Sequence, residues 1–248
     1  MTAIFGHQVE NQLKEEFFGR ATRGFFVDVG ANDPFDGSQT WHLEQLGWDG
    51  VLVEPQRDLA EQSRQRRRAK VYAVACSSPA NAGKTMTLNL AGIQSSLNPD
   101  FFVPDMVPAG VTEVPVMTLD QILVDAKAPA PLDLVSIDVE THELAVLSGF
   151  DLARWRPRLI LIEDIALNLR LHRYLRSRGG APHRDQRLVR SGRPDVPDQP
   201  VRTSAIHSQI LSGRAVPRHA RDFAAHPASL EAANGEEPIA VAALPLPT

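Results

Sequence analysis

Four acids stand at the ends of short apolar runs: Asp28 in GFFVDV, Glu54 in VLVEP, Asp138 in LVSID and Glu163 in LILIE. A carboxylate can accept hydrogen bonds from a diol, take a proton from a hydroxyl, or ligate a hard divalent ion. If each run is a strand of one parallel sheet, all four tips face one edge. Open α/β sheets bind their ligands at that edge. Any one of the four taken alone reads equally well as a helix cap or a solvated turn acid; four together are harder to dismiss. Glu54 has the most specific chemistry, because an acid at the end of a second strand can hold both hydroxyls of a ribose.

The elements that must position these acids follow from the apolar pattern. Phe25 to Val29 has aromatic and β-branched bulk without polar alternation, as a strand covered on both faces requires. Gly30 follows at once, where the chain must bend, and Asn32, Asp33 and Pro34 keep it out of strand geometry. Ser38 caps a helix to about Leu46, GVLVEP is a second strand, residues 56–68 a charged helix, and KVYAVA at 70–75 a third strand. This alternation predicts parallel pairing with right-handed crossovers. Residues 84–90 and 111–117 read as a further β element, with loop over 94–110 containing Ser95 and Ser96. Thr118 caps a helix bearing Leu119, Ile122 and Leu123. LDLVSIDVE is a strand, 142–149 a helix, RLILIED a strand and 167–178 a helix. Ahead of all this, residues 8–19 form a short helix with Val9, Leu13 and Phe17 on one face. Past Gly180 nearly half of the 19 prolines accumulate, Phe223 is the only aromatic, and no strand period is legible. The expected organisation is a helical segment at 1–23, one α/β domain at 24–180, and a poorly ordered tail at 181–248.

Composition excludes several classes. At 248 residues, 43% apolar and 23% charged, the chain is ordinary for a globular protein, and its net charge of -4 argues against bulk attraction to nucleic acid. The basic run Arg64, Arg66, Arg67, Arg68 and Lys70 reads as a solvated helix end. Cys76 is the only cysteine, so neither an internal disulfide nor a multi-cysteine metal site can form. No leader pattern or membrane-length apolar run is visible, which sets a cytoplasmic expectation. The first turn, GANDP, lacks the Gly-x-Gly-x-x-Gly spacing that seats a pyrophosphate, and there is no phosphate-binding lysine loop. A cofactor without phosphates fits better.

The blocks DVGANDP, VLVEP, VPVMTLDQIL, LVSIDVETHELAVLSGFD and RPRLILIED, in this order and spacing, resemble the FkbM family of S-adenosylmethionine-dependent methyltransferases over roughly residues 24–179. The resemblance implies a Rossmann-like class I methyltransferase sheet and O-methylation of a sugar, glycan or secondary metabolite. It implies that Asp28, Gly30, Ala31 and Asn32 surround the methionine part of the cofactor, that Glu54 holds the ribose, and that Ala75 and Cys76 lie near the adenine. Asp138, Glu140 and His142 would face the methyl group and the acceptor. His142 is the first choice of general base, since its ordinary pKa lies near neutrality; Asp138 and Glu140 are alternatives. These acids could also hold a divalent ion with Glu163 or Asp164. No metal is assigned, because such carboxylates also bind cofactors and cap helices. Two departures stand out. Thr141 replaces the glycine usual after Asp-x-Glu, and the family's closing aromatic strands are missing or divergent. A cofactor-binding relic without catalysis and a Rossmann NAD(P)-dependent oxidoreductase remain as alternatives. Against the latter, neither Tyr72 nor Tyr174 has lysine four residues on.

Overall fold

The computed structural model describes residues 14–15, 17–19, 21–101, 106–163, 169–177, 181–182 and 240–244. Of the expected N-terminal helix, Lys14, Glu15, Phe17 and Phe18 are helical, while Val9 and Leu13 lie outside the described residues.

The apolar runs form the strands of a parallel sheet: β1 (Phe25–Val29), β2 (Asp49–Val53), β3 (Lys70–Tyr72), β7 (Leu134–Ile137) and β8 (Leu159–Glu163). Their order is β3-β2-β1-β7-β8, and every pairing is parallel. Successive side chains leave a strand on opposite faces. Val27, Val29, Val135, Ile137, Ile160 and Ile162 therefore pack on one side, against Leu119, Ile122, Leu123 and Leu147. Phe26, Leu52, Leu134, Leu159 and Leu161 pack on the other, against Phe17, Leu43 and Trp48. Both faces are dry, which is why the strands show no polar alternation. Strand order reverses direction at β1, between β2 and β7, and opens a crevice at the strand ends.

Six helices are described: α1 (Trp41–Gln45), α2 (Arg57–Arg66), α3 (Leu119–Ala126), α4 (Glu143–Ser148), α5 (Leu152–Trp155) and α6 (Leu169–Ser177). Thr118 caps α3 reciprocally with Gln121, their side chains each accepting the other's backbone N–H at 3.1 and 2.9 Å. α1 starts two residues later than expected, at Trp41, yet the Ser38 hydroxyl still accepts the Trp41 N–H at 3.2 Å. α5 was not legible; Asp151 creates it by accepting the N–H groups of Ala153 and Arg154.

The reading of 70–75 as one strand needs correction. The chain leaves the main sheet after Tyr72, and Ala75–Cys76 forms β4 in a second sheet with β5 (Thr85–Leu90) and β6 (Gly110–Met117), ordered β4-β6-β5. β5 and β6 pair antiparallel, as a local β element should. The apolar character of KVYAVA is continuous across the break, so periodicity cannot locate it. Past Gly180, β9 (Ala181–Pro182) and β10 (Ala240–Leu244) extend the main sheet, with β10 parallel to both β8 and β9. The alanine-rich AVAAL carries little β-branched signal, which hid it from the sequence reading. The rest of 181–248 lies outside the described residues.

Candidate active site

The crevice starts at Gly30. Its φ is +89°, and a Cβ there would stand 1.8 Å from the carbonyl oxygen of Asp138. Only glycine allows the end of β1 to lie this close to the turn after β7. The N–H groups of Gly30 and Ala31 both donate to Val53 O, at 2.9 and 3.1 Å, and fold the turn back onto β2. Asn32 then adopts a left-handed φ of 49°, a conformation asparagine tolerates.

That turn positions Glu54. Its side chain is buried at the end of β2, and each carboxylate oxygen accepts one backbone N–H at 2.8 Å, Oε2 from Asn32 and Oε1 from Gln56. Burial pushes the carboxyl up to about 7 despite these two bonds and a further one from the Gln56 side chain. Val53, Pro55, Val74 and Ala75 beside it supply an apolar wall, with Cys76 at its end. Burial pushes the Cys76 thiol far above its usual range, so it is a packing group there.

The floor carries the acids of β7 and β8. Ile137 and Ile162 are register partners, so the next residues, Asp138 and Glu163, are cross-strand neighbours. Glu140 follows on the turn. One oxygen from each of Asp138, Glu140 and Glu163 lies within 4.8 Å of the others. Glu140 is 8% exposed. Its Oε2, like that of Glu163, is buried without a hydrogen-bond partner in the protein. Burial and the neighbouring carboxylates push Glu140 up to about 8, Glu163 to about 10, and Glu143 to about 7.

The turn over this floor is unusual. Glu140 and Thr141 both have positive φ, 52° and 76°. For β-branched Thr141 that is the strained form of a position that suits glycine. The loop after β5 holds it. Ser96 Oγ donates to Glu140 O at 2.6 Å, and Asn98 Nδ2 donates to Thr141 Oγ1 at 2.9 Å. Gly92, Ile93, Ser95 and Leu97 of the same loop form the opposite wall.

Of the residues singled out from the sequence, Gly30, Asn32, Glu54, Ala75, Cys76, Asp138 and Glu140 line this one cleft. Three others do not. Asp28 lies on the opposite face of β1, in register with Leu52, where its Oδ2 accepts the Thr40 hydroxyl at 2.7 Å. Burial pushes it up to about 6. Ala31 is buried in the same core as Phe26. His142 sits at the N-cap of α4 with Nε2 2.8 Å from Ser77 Oγ, and burial lowers its pKa. Asp164 lies outside the described residues. The sequence reading missed Val74, Leu88, Gly92, Ile93 and Leu97. Val74 comes from the link between β3 and β4, and the others from the second sheet and its loop, whose place over the cleft no local pattern encodes.

No helix among the described residues is long and apolar enough to cross a membrane. No curated protein and no solved structure matches the chain. A family model described as the methyltransferase FkbM domain does match, over residues 28–179. It takes in the glycine turn, Glu54, the acidic floor and the loop that braces it, and by this match over more than half its length the chain belongs to the FkbM methyltransferase domain family.

Proposed function

We propose that this protein is an S-adenosylmethionine-dependent O-methyltransferase acting on a hydroxyl of a sugar, glycan or secondary metabolite. The observation that carries the reading is Glu54: a buried carboxylate at the end of β2, held by the Asn32 and Gln56 N–H groups and facing a cleft that has no pyrophosphate cradle. This donor set suits a ribose diol on a cofactor without phosphates, and the apolar wall of Val53, Val74 and Ala75 suits a purine ring. The residues therefore fit S-adenosylmethionine. When bound, it supplies a methyl group already activated on a sulfonium.

The protein's own work is placement and proton handling. The Gly30 turn and the loop bearing Ser95 and Leu97 bound the space in which an acceptor oxygen must be lined up. Asp138 and Glu140 line that space and His142 does not, so the base role moves from His142 to the carboxylates. His142 acts as a positioning residue through Ser77, whose hydroxyl also accepts from Asn81 at 3.0 Å.

Calorimetric titration tests the reading. S-adenosylmethionine should bind saturably and NAD should not. Glu54→Ala should weaken binding by roughly 10- to 100-fold, the loss of hydrogen bonds to a charged acceptor. A folded sample that binds neither, or binds NAD alone, overturns it.

A further inference from the structure

We propose that Asp138, Glu140 and Glu163 form a binding site for one hard divalent cation on the floor of the cleft. The three ligand oxygens come from adjacent strand ends and one turn, and lie within 4.8 Å of one another. Oxygen ligands stand about 2.0–2.6 Å from Mg²⁺ or Ca²⁺, so two ligands of one ion are separated by about 4–5 Å at most. The cluster therefore has the dimensions of a single coordination shell. All-oxygen donors of this kind select Mg²⁺, Ca²⁺ or Mn²⁺ over thiophilic or imidazole-seeking metals.

Proximity of acids alone would not make a site. The second observation is what the oxygens do. Glu140 is more than nine-tenths buried, lines the cleft, and has Oε2 without any hydrogen-bond partner in the protein. Glu163 Oε2 also has no hydrogen-bond partner in the protein, although the Glu163 carboxyl meets that of Asp138. Buried carboxylate oxygens are nearly always satisfied, and Glu140 Oε2 is left for a partner from outside the chain. Lys14 and Arg67 hold charge on the opposite face of the sheet, and the described residues place no lysine or arginine along the cleft wall. The backbone is strained to keep the geometry, with Glu140 and Thr141 both at positive φ and both braced by the Ser96 and Asn98 side chains. Each carboxylate offers the ion one oxygen. The open side of the cleft leaves coordination positions for water or for an acceptor hydroxyl, whose pKa the ion would lower. That last role rests on the methyltransferase reading; the binding of the ion does not.

The test is titration of the full, chelator-stripped chain with Mn²⁺, read by electron paramagnetic resonance, with competition by Mg²⁺ and Ca²⁺. One ion per chain should bind, at micromolar to submillimolar concentration as expected of a partly open oxygen site. Glu140→Gln and Glu163→Gln should each lower affinity tenfold or more. They keep the size and polarity of the side chains and should still fold, as thermal unfolding will show. Glu113→Gln, a surface acid bonded to Thr87, should leave binding unchanged. Absence of saturable binding in the folded chain, or binding that survives in both glutamine variants, overturns the site. S-adenosylmethionine titration in EDTA separates the two readings. If it binds and Mn²⁺ does not, the cation site falls alone; if Mn²⁺ binds and S-adenosylmethionine does not, the methyltransferase reading falls alone.

Discussion

Gly30 is the most constrained single position in the site. Alanine there would meet Asp138 O at 1.8 Å and would have to hold a φ of +89°. Neither obstacle is a flexible side chain, so Gly30→Ala should cost more than about 3 kcal/mol and shift the denaturant midpoint accordingly. Glu54 makes a different prediction. With its carboxyl near 7, the ionised form, which the proposed function needs as an acceptor for ribose hydroxyls, gains population between pH 6 and 8. S-adenosylmethionine affinity should therefore rise across that window, and Glu54→Gln should flatten the profile in calorimetry. At this scale the sequence was informative where chemistry and backbone coincide, as at Gly30 and Glu54. It misled where a side chain's direction decides. Asp28 shares the face of Phe26, and in a sheet buried on both sides nothing in the pattern says which face carries the ligand. His142 follows the acids in sequence but is turned by its N-cap position toward Ser77.

Among the elements, the join between α2 and β3 carries an unexpected load. Arg67, expected to be a solvated charge, is 6% exposed. Its Nε meets Glu44 at 3.1 Å, and its other nitrogens donate to Pro34 O at 2.9 Å, Ser38 Oγ at 3.0 Å and Thr40 Oγ1 at 3.1 Å. It thus ties α2 to α1 and to the segment that leads out of the glycine turn. Arg67→Met should destabilise by roughly 3–5 kcal/mol, because it strands the buried Glu44 carboxylate. Adding Glu44→Leu should recover a large part of the loss in the same unfolding measurement. Charge runs look alike in sequence whether solvated or buried; only the partner 23 residues away distinguishes them. Strand existence was legible because both faces are apolar. The sheet change after Tyr72, the four-residue α5 and alanine-rich β10 depend on tertiary partners and left no periodic trace.

Among the described residues, burial raises five carboxyls above the ordinary range: Asp28 to about 6, Glu54 and Glu143 to about 7, Glu140 to about 8 and Glu163 to about 10. The folded chain then holds protons that the unfolded chain has released, so these groups favour folding fully below the ordinary carboxyl range and lose that contribution as pH climbs from about 4 to their raised values of about 6 to 10. His42, lowered to about 4 by burial, opposes folding as pH falls below its usual 6.5. The raised carboxyls outnumber the lowered imidazoles, so stability without divalent ions should fall from about pH 5 toward pH 9. Glu163→Gln should raise the melting temperature at pH 9, by an amount equivalent to roughly 1–4 kcal/mol.

The brace from Ser96 and Asn98 to the Glu140–Thr141 turn has a consequence for how such a site can diversify. Loops over a cleft are where evolution ordinarily tries new recognition, because they tolerate change. Here the loop is also the scaffold of the acids beneath it. A lineage drifting toward a different ligand can vary a position such as the exposed Ile93 freely, but a hydroxyl at 96 and an amide at 98 must persist, or be replaced by another prop, for the acidic floor to keep its shape.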